Sequence, residues 1–439
     1  MGGDIVLWML ALLVVFILLG VHIGVSLAIC SALGVWLMLG SVETALAILG
    51  NTAYEAVRKD IFAVIPLFVL MGDIISRSGA AGDLYRICDR ALKRLPGRLA
   101  IATIAGNTVF AAVTGVSIAA AAAFSRIAYP EMRKLGYKQN FALGAVAGSA
   151  CLGMLIPPSI LLIVWAILTE MSVGALFIAG LLPGLVLALL FAGYVVISAI
   201  RSPEIAPISE QNLVDMTPKE IRSELTGGLG ILFLIFLVIG GIWGGLFTPT
   251  EAAGFGALGA LLIGVIKGMR GKAIIEAIFQ AGKTTAPIMF LLITAQMYSR
   301  LLAMGGAVNY IKALFLGLGV DPFLIVLLMV VVWILLGMLI DSVSIILLTV
   351  PIFAPIALAL GLDPLAFAIF GILVIEAGLL TPPFGLLVYT VKGSVTDPTV
   401  TLSGIFIGSV PYFFLILITA FIVLMMPWLA TWLPGFMLR

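Results

Sequence analysis

Ten stretches of this sequence are apolar over roughly the 20 residues that a membrane-crossing helix needs. They lie at 5–20, 22–40, 61–77, 140–168, 175–200, 228–246, 250–267, 284–302, 364–391 and 405–430. Two further apolar stretches, about 99–129 and 322–358, are too long and too interrupted to be single spans. The whole chain is 63% hydrophobic and 10% charged, with mean hydropathy +1.28. Soluble domains are about 25% charged, and a soluble protein of this composition would expose patches large enough to aggregate. The sequence therefore describes an all-α, polytopic integral membrane protein. A net charge of +2 gives no footprint for nucleic acid.

Several chemistries are excluded by counting. His22 is the single histidine, so no His-Glu-x-x-His metal site exists. Cys30, Cys88 and Cys151 have neither redox nor metal-ligand spacing, and Cys30 and Cys151 sit in apolar runs as small core residues. No P-loop and no Gly-x-Ser-x-Gly nucleophile elbow occurs, which argues against an enzyme. No basic region precedes residues 5–20, so they read as a retained first span.

Basic residues orient the spans, because Lys and Arg accumulate in cytoplasmic loops. With the first residue outside and the two long stretches folded as re-entrant hairpins, all but five of the 23 basic residues fall inside. The exceptions are Arg58, Lys59, Arg300, Lys312 and Arg439. Treating the long stretches as full spans would put the basic loops around 77–98 and 126–138 on opposite sides.

The chain also repeats in one register, at an offset of 225. Gly20 matches Gly245, Pro130 matches Pro355, Gly136 matches Gly361, Gly153 matches Gly378, and Pro157-Pro158 matches Pro382-Pro383. Five spans per half is an odd number, so the second half must lie inverted relative to the first. Inverted repeats with helices broken at the midplane are typical of secondary transporters. The expected fold is two inverted five-span repeats, each with a re-entrant hairpin and a broken helix, of the elevator type.

The breaks are where an ion can bind. Gly153-Met154-Leu155-Ile156-Pro157-Pro158-Ser159 and Gly378-Leu379-Leu380-Thr381-Pro382-Pro383-Phe384 sit mid-span. Each proline removes a donor and prevents the helical bond to the residue four back. Such backbone is tolerated at membrane depth only where protein or water satisfies it, and carbonyl and hydroxyl oxygens suit Na⁺. One break alone would be an ordinary proline kink. Two at matching positions, each beside a hairpin, favour a site.

The hairpin tips supply the facing side. Gly115 and Ser117 in the first, Asp341 and Ser342 in the second, and Ser159 beyond the first break are expected near substrate. A carboxylate such as Asp341 costs roughly 2.5–3.5 kcal/mol at the bilayer centre and needs a cation, a donor or water. Glu376, just before the second break, could face a cation or brace the unwound segment; the reading taken is bracing. Asp73 is expected near the interface, Arg300 snorkelling outward, and His22 in a structural turn. Residues 80–98 read as a basic amphipathic helix lying on the cytoplasmic leaflet. Segments 43–59 and 271–283 read as matching arm helices.

These residues resemble a known family. Ile65-Pro66-Leu67-Phe68-Val69-Leu70-Met71-Gly72-Asp73, Ile156-Pro157-Pro158-Ser159, Thr248-Pro249-Thr250-Glu251-Ala252-Ala253 and Gly378-Leu379-Leu380-Thr381-Pro382-Pro383 look like the large membrane subunit of TRAP (tripartite ATP-independent periplasmic) transporters, the DctM type. The resemblance implies a Na⁺-driven elevator in the bacterial inner membrane that imports a small organic anion of the carboxylate class. It implies two partners, a separate small four-span membrane subunit and a periplasmic substrate-binding protein. It implies one Na⁺ held by Thr114, Gly153, Ile156 and Pro158, and a second by Gly337, Gly378, Thr381 and Phe384. Where relatives often have Ser near the first tip, this chain has Ala111 and Val116, which removes a side-chain ligand at both positions.

The expected organisation is scaffold and arm at 1–60, a moving half at 61–200, a linker at 201–225, scaffold and arm at 226–283, and a second moving half at 284–430. Two alternatives stand beside it. A stand-alone Na⁺:dicarboxylate symporter of the divalent-anion family shares the hairpin plan, but neither tip carries that family's Ser-Asn-Thr triplet. A passive channel would need no internal symmetry.

Overall fold

The computed structural model describes residues 2–207, 218–306 and 321–437, and every regular element among them is helical. Lys312, Arg439 and the middle of the 201–225 linker lie outside the described residues. The first half runs α1 (Gly2–Leu18), α2 (Ile23–Leu39), α3 (Val42–Arg58), α4 (Val64–Arg77), α5 (Ala80–Ala91), α6 (Arg98–Thr114), α7 (Ser117–Lys134), α8 (Gln139–Ala150), α9 (Ile160–Thr169) and α10 (Val173–Arg201). The second half runs α11 (Pro218–Ile235), which continues through a π-turn to Trp243, then α12 (Pro249–Ile266), α13 (Gly271–Met304), α14 (Pro322–Gly337), α15 (Ser342–Ala359), α16 (Pro364–Gly378), α17 (Leu386–Ser394) and α18 (Leu402–Met425).

Local sequence sets these boundaries. Ser41, Ser172 and Thr401 accept from backbone N–H groups at the starts of α3, α10 and α18. Thr248 and Glu251 form a reciprocal capping box on α12, with Pro249 in the first turn. The matched Gly136 and Gly361 take φ of +80° and +78° after α7 and α15, a conformation that a side chain disfavours. Six helices among the described residues are long and apolar enough to cross a membrane, or seven if α4 and α5, bent by 67°, count as one. The ten apolar runs exceed that number for two reasons. The first two runs make helices of 17 residues each. The runs 140–168 and 364–391 are each two short helices around a break.

Both long apolar stretches fold as helix pairs with short turns, Gly115–Val116 in the first and Met338–Asp341 in the second. The packing between elements is reciprocal. α4 lies on α12 while α13 lies on α2; α8 lies on α18 while α16 lies on α10; α15 lies on α9 while α7 lies on α17. Packing thus groups α4 and α13 with the first two spans of the opposite half, rather than chiefly with the hairpins. The boundary drawn at 61 from sequence lies in the 3₁₀ turn before α4, and the one drawn at 284 falls inside α13.

Two local expectations are corrected. The second arm, 271–283, is not a separate helix, because α13 runs unbroken for 34 residues. In the first half, extended backbone at Lys59 and a 3₁₀ turn over Asp60–Ala63 separate α3 from α4. The apolar face of the basic segment 80–98, expected to meet lipid, is covered by protein. α5 ends at Ala91, and its Ala80, Ala81, Leu84 and Tyr85 are buried, with the helix packed on α6 and α11. Several of its charges pair with protein: Arg86 Nε donates to Glu224 at 2.5 Å, Arg90 pairs with the same carboxylate, and buried Asp83 pairs with Lys267, while Lys93 and Arg94 are exposed. Elsewhere, Tyr129 OH donates to Asp397 Oδ2 at 2.7 Å and ties α7 to the loop before α18. Hydrogen bonds from Thr399 and Tyr129 hold the Asp397 carboxyl down at about 2.

The tightest crossing is glycine on glycine. A methyl group on Gly144 of α8 would sit 2.0 Å from the carbonyl oxygen of Gly408 in α18. Small residues let membrane helices approach this closely. Gly144→Ala is expected to lower stability by about 1–3 kcal/mol through overpacking, read as a fall in melting temperature of the purified protein. Gly50→Ala, at a helical site with open space around it, is expected to leave the melting temperature unchanged or raise it slightly.

Candidate ion and substrate site

Each hairpin tip abuts the break of its own half, backbone against backbone. In the first, Gly115 has φ +62°, and a methyl group there would meet Pro158 O at 2.3 Å. A methyl on Gly153 would meet the Ser117 backbone at 3.0 Å. Ile160 N donates to Gly115 O at 3.3 Å, joining the tip to the second limb of the broken helix. In the second, Gly337 and Gly378 meet Cα to Cα, so that a methyl on either would fall within 3.0 Å of the other. No residue with a side chain fits at these contacts without moving the backbone.

The breaks themselves are short non-helical segments. A 3₁₀ turn over Cys151–Met154 leads to Pro157–Pro158, which is cis, as is Pro382–Pro383. Proline at 157 cannot donate to the Gly153 carbonyl four residues back, and proline at 382 cannot donate to that of Gly378. Local hydroxyls take part of the load. Ser159 Oγ donates to Met154 O at 2.5 Å and accepts from Leu162 N, capping α9. Thr381 Oγ1 donates to Gly378 O at 2.5 Å, and Thr381 N donates to the same oxygen. Thr114 Oγ1 donates to Phe110 O at 3.0 Å.

The two breaks differ in surroundings. Gly153, Ile156, Pro158 and Ser159 are all buried. Of the second set, Gly337 and Gly378 are buried, Thr381 is half-buried, and Phe384 is 56% exposed. The structure therefore gathers Thr114, Gly153, Ile156 and Pro158 in one closed region. It joins Gly337, Gly378 and Thr381 in another and leaves the Phe384 side chain at the surface. The donor set is carbonyl and hydroxyl oxygen, which fits a hard monovalent cation rather than a thiolate- or imidazole-bound metal.

Glu376 occupies the space between the two tips. It is 1% exposed, and Ser342 Oγ donates to its Oε1 at 2.8 Å. Ser117, the residue matched to Ser342 in the repeat register, lies beside the same carboxyl. Ser117 Oγ and Glu376 Oε2 are nonetheless buried without a hydrogen-bond partner. Cys151, which stands 225 positions before Glu376, places its Sγ 3.7 Å from the Glu376 carbonyl. Counting alone made Cys151 a core residue; only its register number would have paired it with Glu376.

A cavity of about 620 Å³ opens beside the tips. On one side are the α1–α2 turn, with His22, and Pro287, Ile288 and Leu291 of α13. On the other are Val116 and Ile118 of the first tip and Leu339 to Ser344 of the second, which include Asp341 and Ser342. His22 was read as structural. Its Nδ1 does cap α2 by accepting from Gly24 N at 3.2 Å, and the ring also lines the cavity. Gly115 lies at the tip that borders this space, and Ser117 and Ser159 are fully buried behind it. Arg300 is elsewhere, in a second cavity of about 380 Å³ with Glu55, Lys59 and Gln296. Asp73 receives a hydrogen bond from Arg77 Nε at 2.7 Å and lies outside both cavities.

A family model described as "Tripartite ATP-independent periplasmic transporter, DctM component" matches residues 10–429. The chain belongs to this family. It is 33% identical over 416 residues to the C4-dicarboxylate TRAP transporter large permease protein DctM of Pseudomonas aeruginosa, covering 94% of each chain. It is 31% identical to the ectoine TRAP transporter large permease protein TeaC of Halomonas elongata, covering 98% of this chain and 99% of that one. Among solved structures, MtrF of Neisseria gonorrhoeae matches with TM-score 0.63 and 16% identity, covering 97% of this chain and 94% of that one, a likeness of fold alone. As a DctM-family member the chain is a multi-pass membrane transport component and not an enzyme.

Within this DctM-family fold, the Ser342–Glu376 bond links the second tip to the helix before the second break. Ser342→Ala would leave a buried carboxyl oxygen unpaired, which costs about 1–3 kcal/mol. The expected result is a lower melting temperature of the purified protein and a smaller loss for Ser117→Ala, whose hydroxyl makes no full bond.

Proposed function

We propose that this chain is the large permease of a Na⁺-coupled TRAP transporter that imports a small carboxylate-bearing molecule across the bacterial inner membrane. The single observation that carries this is the convergence of the two tips, with Met154 and Ile160 flanking the first proline break, on one cavity of substrate size. A cavity of about 300–1,000 Å³ suits a small organic molecule, and the 620 Å³ space lies within it. The inverted-repeat reading is supported by the reciprocal packing of α4 on α12 with α13 on α2, and of α7 on α17 with α15 on α9.

In this reading α1–α4 and α11–α13 form a fixed frame. The hairpins with α8–α10 and α16–α18 form the body that slides, as an elevator. Na⁺ in the first site is held by Thr114, Gly153, Ile156 and Pro158. Na⁺ in the second is held by Gly337, Gly378, Thr381 and the Phe384 backbone. Binding the ion would order backbone carbonyls that proline leaves without helical partners, and so shape the tips for substrate. Gly115, Ser117, Asp341, Ser342 and Ser159 stand nearest that event, and Glu376 braces the two tips.

The partners are a small four-span membrane subunit and a periplasmic protein that delivers substrate. The frame offers the first an apolar face, with Leu46 on α3, Phe236 on α11 and Phe279 on α13 all more than half exposed. Relatives named for a C4-dicarboxylate and for ectoine support a small carboxylate-bearing cargo. A stand-alone divalent-anion symporter is the second reading, and the family membership weighs against it.

Uptake into proteoliposomes is expected to require Na⁺, the small subunit and the binding protein together. Uptake by this chain alone from free substrate would refute the proposal. Thr381→Ala is expected to raise the half-saturating Na⁺ concentration about tenfold, the equivalent of about 1.4 kcal/mol of lost oxygen coordination. An unchanged Na⁺ dependence would remove the Thr381 hydroxyl from the second site.

A further inference from the structure

Cavities meet α13 at two levels. The tip cavity borders its Pro287, Ile288 and Leu291. Further along, the cavity of about 380 Å³ borders Gln296, Ser299 and Arg300. A third cavity, of about 480 Å³, lies between α13 and the far parts of α9 and α15, and it shares Gln296 and Ser299. At about 1.5 Å of rise per residue and about 3.6 residues per turn, Ile288 and Ser299 fall on one face of α13, about 16 Å apart. The Gly271 end of α13 belongs with the basic, cytoplasmic loops. Arg77 Nη1 lies 3.6 Å from Glu276 Oε2, and Lys267, just before the helix, pairs with Asp83. The tips thus rest beside the inner half of this span, and the other two cavities stand outward of them.

Two contacts join frame to body at the outer level. Gln296 Nε2 donates to Ile167 O at 3.4 Å, and Lys59 Nζ lies 4.0 Å from Glu170 Oε1. Both are long, and the ion pair is exposed, so parting them costs little.

The two levels differ in charge. Neither lysine nor arginine lines the tip cavity. The outer cavity has Lys59 and Arg300, with Asn51, Thr52 and Gln296 around them. Its carboxylate, Glu55, accepts from Arg58 Nη1 at 3.1 Å. Among the described residues, no hydrogen bond or ion pair engages the Arg300 guanidinium. Snorkelling explains an exposed arginine near the end of a span, but not the amide and hydroxyl groups gathered round it. A guanidinium left open offers parallel N–H groups that match a carboxylate. The two Na⁺ proposed at the tips move with the tips and accompany an anion at both levels, so the frame supplies the difference.

We propose that the tips have a second, outer station about three turns along α13, and that Arg300 receives the substrate carboxylate there, with the Gln296 amide freed from Ile167. The anion gains this partner where it arrives and loses it where it is released. The inference rests on the transporter reading and adds the frame residue that takes the cargo.

The test locks each station in turn. Full-length protein with Ile340→Cys and either Ile288→Cys or Ser299→Cys is treated with a short bis-maleimide, and both pairs are expected to cross-link. Each locked form, in Na⁺, is titrated with succinate and with ectoine, following melting temperature. At least one ligand is expected to stabilise the outer-locked form. Arg300→Gln is expected to weaken its apparent Kd there at least about tenfold, Arg300→Lys to restore most of the loss, and Arg300→Gln to change nothing in the inner-locked form. Stabilisation of the outer-locked form by neither ligand, an equal loss in both locked forms, or no loss at all would overturn the inference. So would a weaker hold on the substrate-free periplasmic protein in Arg300→Gln with carboxylate binding unchanged, since Arg300 would then be a contact for that protein. Cross-linking of the Ile288 pair alone, while uptake by the unmodified protein needs Na⁺ and both partners, would overturn the outer station and leave the transporter reading standing. An Arg300→Gln loss confined to the outer-locked form, beside uptake that needs neither partner, would do the reverse.

Discussion

Backbone that leaves a helix inside a bilayer must find its hydrogen bonds within the protein, and among the described residues the chain leaves the helix at four places that pack against one another. Two of those places are the proline breaks and two are the hairpin tips. Each break is set against a tip so closely that only glycine fits at Gly115, Gly153, Gly337 and Gly378. The other elements follow from that need. α8 and α16 carry the breaks into the interior and are buried along nearly their whole lengths. The outer helices then present the apolar surface that a bilayer requires.

Membership of the DctM family gives this geometry its meaning. A transporter needs backbone that can be rearranged at modest cost, and oxygen ligands that bind an ion only when brought together. The breaks supply such oxygens. Gly378 O is shared by the amide and the hydroxyl of Thr381, so the second break is held by a local bond that can be exchanged. The second break also borders the surface, whereas the first is sealed. Two carboxyl groups at the tips are engaged by the fold: Glu376 by Ser342, and Asp341 by the start of α15. At the edge of the fold, the basic residues of α5 are joined to Glu224 and Asp83 to Lys267, tying the segment after α4 to α11 and α12.

Much of this was legible beforehand. Pairs of Gly and Pro at one offset located both breaks and the turns after α7 and α15, because proline and positive-φ glycine act locally wherever they occur. The placing of basic residues led to the expectation that both long stretches turn back on themselves, and each folds as two helices around a short turn. Three things were not legible. The 80–98 helix looked amphipathic toward lipid, but its apolar face meets α6 and α11, and hydropathy does not distinguish lipid from protein as a neighbour. The arm at 271–283 ran on into α13, because nothing in Lys283-Thr284-Thr285 forces an end where Lys59 and Asp60 do. His22 looked like a simple turn residue and proved to line the cavity.

The sequence by itself determined that the chain is a multi-pass membrane protein, where its two proline breaks and the turns after α7 and α15 lie, and which family it belongs to. These depend on composition and on residues whose conformational limits are intrinsic. Only the tertiary structure decided that Ser342 binds Glu376 with Ser117 alongside, that α4 and α13 pack across the halves, and that Asp341 and His22 line one cavity at the tips. Those facts join residues far apart in the chain. Contacts of that kind are fixed by how helices pack, and apolar helices of nearly uniform composition carry little record of their neighbours.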